Sequence, residues 1–147
     1  MRFLMTILTG LTLAASAFAD AVTDLRPVIN QAAAEHNVDP VLIEAIIRIE
    51  SGHATSRAAV KKNNLAGIMG RRGQRTYESK EDCVRDLARI LDEYRAKGRV
   101  TVAQIGRVYC TTGGWAAAVS STMTRVRSGQ WGALEEQPAA EEEAKQQ

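Results

Sequence analysis

Leu25, Val28, Ile29 and Ala32, with His36 one turn on, recur at helical intervals, and Asn37 ahead of Pro40 supplies a stop. A first helix is expected there. Asp39 then offers an N-cap with Pro40 at the first helical position, Ile43, Ile46 and Ile47 share a face, and Gly52 stands where a terminating glycine belongs. Thr55 to Lys61 suits a short third helix closed by Asn63-Asn64. The stretch Leu65 to Arg75, with Gly67, Gly70 and Gly73, reads as loop or a minimal hairpin. Ser79 with Asp82 three residues on opens another helix through Val84, Leu87, Ala88, Leu91 and Tyr94, ending at Gly98. Thr101 and Gln104 repeat that start signal for a shorter helix through Ile105, Val108 and Tyr109. After a Gly113-Gly114 turn, Trp115, Val119, Met123 and Val126 mark a last helix ending at Ser128-Gly129. No alternating strand of useful length and no internal repeat interrupts this pattern. The expected fold is mostly α, with about five to six helices and at most a minimal hairpin.

The two ends of the chain follow other rules. Arg2 heads an apolar run from Phe3 to Phe18, and Ala17-Phe18-Ala19 forms a small-residue exit before Asp20, so residues 1–19 read as a secretory signal peptide. The run is shorter than the roughly 20 residues a retained membrane anchor needs. Residues 133–147 hold five Glu, three Gln and one Lys, a composition expected to form a disordered acidic tail. One domain, residues 20–132, remains between them, with 17 basic and 12 acidic side chains. A basic exported domain suits a periplasmic or secreted protein acting on an anionic polymer such as the cell wall, or on an acidic lipid surface; a generally solvated basic surface is the equal alternative. It is expected to act as a monomer, with no membrane segment after cleavage. Cys83 and Cys110, the only cysteines, meet oxidising conditions outside the cytoplasm, so a single disulfide is expected, with two buried free thiols as the alternative. His36, His53 and these cysteines lack the spacing of a metal site, and the glycine series fits neither a P-loop nor a dinucleotide fingerprint, so no cofactor is expected.

Glu50 is the carboxylate that invites chemistry. It follows Ile43, Ile46 and Ile47 by seven, four and three residues, so it leaves the second helix on their side. Desolvation and the negative end of the helix dipole would there keep a carboxylic acid ready to donate a proton. Periodicity alone leans instead to an ordinary glutamate at a frayed helix end, pointing into solvent.

The residues around Glu50 change that weighting. Ile49-Glu50-Ser51-Gly52, then Ser56 and Ala59, then Asn63-Asn64-Leu65-Ala66-Gly67-Ile68-Met69-Gly70 resemble the signature of bacterial endo-β-N-acetylglucosaminidases. Arg75-Thr76-Tyr77-Glu78-Ser79 with Asp86, and Tyr109-Cys110 with Trp115 and Val119, resemble the family's later segments in the same order, from about Val38 to Val126. The resemblance implies a lysozyme-like domain that cleaves peptidoglycan glycan strands. It places Glu50 as catalytic acid, Tyr109 in the cleft as a second catalytic residue, and Ser51, Asn64, Leu65, Gly67, Ile68 and Tyr77 against the substrate.

Two departures from the family pattern bear on mechanism. His53 and Ala66 stand where the family carries bulky aromatics, and only four residues separate Gly70 from Arg75, where the family has a longer hairpin bearing a second glutamate. Glycosidases of the two-carboxylate kind need an acid and a partner about 5 to 9.5 Å apart. With one acid, the substrate itself must supply the nucleophile, either the acetamido oxygen or, as in lytic transglycosylases, the 6-hydroxyl that yields 1,6-anhydro ends. A non-catalytic wall-binding or assembly module is the alternative from another class. Arg71, Arg72 and Arg75 beside Tyr77 would suit nucleic acid, but export argues against that partner.

Overall fold

A computed structural model of the chain describes residues 20–111 and 113–133. The expected leader and nearly all of the expected tail lie outside the described residues. Six α-helices and one hairpin follow a 3-10 turn at Thr23–Leu25: α1 (Arg26–His36), α2 (Pro40–Ser51), α3 (Arg57–Lys62), β1 (Met69–Gly70), β2 (Gly73–Gln74), α4 (Lys80–Ala96), α5 (Val102–Tyr109) and α6 (Trp115–Arg127). The mostly helical fold read from the sequence is the fold observed.

Local signals set these boundaries. Asp39, Ser56, Ser79 and Thr101 each accept a backbone N–H at the start of α2, α3, α4 and α5, and Thr101 with Gln104 completes a reciprocal capping box. Each such cap stabilises a helix by about 1 kcal/mol. α1, α2 and α3 end on left-handed Asn37, Gly52 and Asn63. The 3-10 turn before α1 was not visible in the periodicity.

α2 is the central element, with nine of its twelve residues buried, and it packs against α1 and, most extensively, against α6. Ile43, Ile46 and Ile47 are fully enclosed. Truncating any of them to Ala removes packing worth roughly 2–5 kcal/mol. α4 covers α1, and α5 lies on α6 at a contact so close that a Cβ on Gly106 would come within 3.0 Å of the Trp115 ring.

The middle of α2 buries charge as well as hydrocarbon. Glu44 accepts from Arg48 at 2.7 and 2.9 Å and from Arg26 at 3.0 and 3.1 Å. Arg48, wholly buried, also reaches Asp20 at 2.8 Å, Thr23 at 3.2 Å and the face of Trp131 at 4.1 Å from its centroid. Arg26 bonds the carbonyls of Gly132 and Ala133, so this network ties both ends of the described chain to the central helix.

The expected disulfide is a correction: Cys83 and Cys110 are free. The Cys83 sulfur is turned into the core beneath Leu65, whose N–H it accepts at 3.3 Å, while Cys110 caps the far end of α5. Burial pushes the Cys83 thiol up to about 11, which keeps it protonated and unreactive.

Candidate active site

Glu50 sits in the last turn of α2, past the enclosed isoleucines, where the helix meets an open cleft. The chain leaves that turn sharply. Gly52, His53 and Ala54 all take positive φ, and the Ser51 hydroxyl pins the bend by donating to the Ile47 carbonyl and accepting the Ala54 N–H at 2.7 Å. α3 then begins under Ser56 and forms one wall of the cleft.

Three other segments close on the carboxylate. Trp115, the first residue of α6, donates its indole N–H to Glu50 Oε1 at 2.7 Å. Gly67 crosses the other oxygen at φ 63°, so near that a Cβ there would lie 2.9 Å from Oε2. Only glycine permits both that backbone angle and that approach. Tyr109 stacks on Trp115 with ring centroids 5.2 Å apart and donates its hydroxyl to the Ala66 carbonyl. Burial, and then the Glu50 charge, hold the Tyr109 phenol well above its ordinary value, so it stays a neutral donor. One carboxylate oxygen is therefore fixed by an indole, and the other faces the cleft.

The cleft encloses about 960 Å³ and is lined by Glu50, Ser56, Arg57, Ala58, Lys61, Lys62, Gly67, Gln74 and Thr76. Glu50 is the sole acid among these residues. The hairpin forming the facing wall is minimal, pairing Met69 with Gln74 and Gly70 with Gly73 around Arg71 and Arg72. A roomy cleft with a mostly polar lining and one positioned acid is the kind of arrangement that acid-assisted bond cleavage requires.

Sequence similarity names the family. The profile described as glucosaminidase, mannosyl-glycoprotein endo-β-N-acetylglucosaminidase, matches residues 26–128, and the chain belongs to that family. No curated protein matches the chain significantly.

The expected site residues divide. Glu50, Gly67, Tyr109 and the previously unassigned Trp115 come together. Ser51, Asn64, Leu65 and Ile68 do not reach the cleft lining; they are buried. Asn64 instead ties the loop to itself, accepting the Ile68 N–H and donating to the Ile68 and Arg75 carbonyls. Tyr77 also turns away, donating to Asp86 at 2.7 Å beside Arg75 and Arg89. That cluster staples the hairpin to α4. Although burial opposes it, hydrogen bonds from Tyr77 and Arg89 hold the Asp86 carboxyl below the usual range. His53 faces Arg48 and Trp131, not the cleft.

The residues missed by sequence reasoning are Ser56, Arg57, Lys61, Lys62, Gln74, Thr76 and the Trp115 contact. Arg57 and Lys61 stand four apart, a spacing that already placed them on one helix face. The 65-residue separation of Glu50 and Trp115 leaves no local signal.

Proposed function

We propose that the protein cleaves the glycan strands of peptidoglycan outside the cytoplasm, with Glu50 as general acid on a β-1,4 glycosidic bond. The arrangement of one carboxylate, anchored through Oε1 and open through Oε2, carries the reading. Oε2 passes its proton to the bridging oxygen as the C1–O bond breaks, a contribution of about 10² to 10⁴ in rate. Trp115 fixes the acid, and Gly67 leaves room for it. Tyr109, whose hydroxyl is engaged by Ala66, is a positioning residue that holds the loop and the indole in place.

With no second acid among the described residues that line the cleft, the nucleophile comes from the substrate. In the first route the 2-acetamido oxygen of N-acetylglucosamine attacks C1, and water then opens the cyclic intermediate to give a reducing end. The same observation favours a second route. There the 6-hydroxyl of N-acetylmuramic acid attacks C1, loses its proton, and leaves a 1,6-anhydro end without water.

Digestion of purified peptidoglycan by the wild type and by Glu50→Gln, with the ends identified by mass spectrometry, tests the proposal. The variant is expected to act at least about 100-fold more slowly. Reducing N-acetylglucosamine ends identify hydrolysis, and anhydro-muramic ends identify transglycosylation. Binding without release by the wild type would leave a non-catalytic wall-binding module.

A further inference from the structure

The cleft beside Glu50 holds more positive charge than a neutral sugar requires. Arg57, Lys61 and Lys62 all line it, and all come from the six residues of α3. Seven other cations, Arg26, Arg48, Arg75, Arg85, Arg89, Arg95 and Arg127, each meet a carboxylate within 4.0 Å. Among the described residues no such carboxylate meets the three α3 cations. Beside them the lining adds uncharged Ser56, Gln74 and Thr76 and a single acid, Glu50, so three cations face one carboxyl group. Like charges crowded on one short helix repel, and a concave wall concentrates their field on whatever enters.

We propose that Arg57, Lys61 and Lys62 form a carboxylate-recognising rim that selects glycans bearing anionic substituents near the cleaved bond over neutral ones. The inference rests on the peptidoglycan reading and names the part of that polymer the rim grips, the lactyl side arm of muramic acid. Its carboxylate is either the free lactyl group of stripped strands or belongs to the peptide attached there. The attraction acts across exposed groups, so salt weakens it over a Debye length of about 8–10 Å.

The test is co-sedimentation of full-length Glu50→Gln with insoluble peptidoglycan, native or with its carboxyl groups converted to neutral methylamides. At low salt the amidated polymer is expected to bind about tenfold more weakly, and added salt should erase the difference. Adding Arg57→Gln, Lys61→Gln and Lys62→Gln, with folding checked by thermal unfolding, should abolish the preference. The same charge change at Arg95, Lys97 and Arg99, at the far end of α4, should preserve it. Strands stripped of peptide assign the carboxylate: retained preference identifies the lactyl group, and lost preference the peptide.

Equal binding of the native and amidated polymers, or equal loss from both triple variants, would overturn the rim. Digestion by the wild type is scored separately. Fragments released without a binding preference remove the rim and keep the catalytic reading, whereas a preference without release does the reverse.

Discussion

Glu44 and Glu50 lie six residues apart on one helix, and the fold treats them oppositely. Glu44 is 2% exposed and has both oxygens taken by Arg26 and Arg48. Glu50 has one indole donor on Oε1, and Oε2 lies between Gly67 and an open cleft. A carboxylate whose acceptor positions are filled by fixed cations is a structural ion. One that is oriented through a single oxygen keeps the other for a substrate.

Exchanging the two roles by mutation is the sharpest way to break this contrast. Glu44→Ala leaves buried Arg48 with Asp20 as its one carboxylate and is expected to cost about 3–5 kcal/mol in denaturant unfolding, while the remaining folded molecules still turn over peptidoglycan. Glu50→Gln should do the reverse: the activity loss described above, with stability within about 1 kcal/mol of wild type by the same unfolding measurement. Activity lost through Glu44 without loss of stability would erase the distinction.

Smaller changes sharpen it. Gly67→Ala puts a methyl against Oε2 and forces alanine to positive φ, so kcat should fall about 10- to 100-fold with about 1–2 kcal/mol of destabilisation. Trp115→Phe keeps most of the packing but removes the N–H, and kcat should fall about tenfold with KM little changed. An unchanged kcat would show that the indole does not orient the acid.

The last test concerns acid. Asp86 and Asp20 both titrate below their ordinary value, against burial: Asp86 through Tyr77 and Arg89, Asp20 through Arg48 and the Thr23 N–H. A depressed carboxyl adds stability that is present above its unfolded pKa, about 3.9, and is lost as pH falls through the folded one. The urea midpoint should therefore hold from pH 7 to about pH 5 and drop below about pH 4. Asp86→Asn should lower the plateau and flatten that drop.

How legible each part was depended on how far its causes lie apart in the chain. The loop from Asn64 to Ile68 is instructive, because its motif pointed to the site while its side chains point inward. Asn64 and Leu65 are needed there to build the turn that presents Gly67, so the motif records the scaffold of the site more than its surface. Tyr77 misleads in the same way, as a clamp on Asp86.

By itself the sequence determined the helices, the caps at Asp39, Ser79 and Thr101, and the position of Glu50 at the end of the central helix. Those features rest on side-chain period and on hydrogen bonds spanning two to four residues, which any reader of the chain can count. Tertiary structure alone decided that Trp115 holds Glu50, that α3 turns its cations to the same cleft, that Glu44 is locked between two arginines, and that the cysteines stay apart. Each depends on how helices distant in sequence pack, and packing sums many weak contacts whose partners no local pattern names.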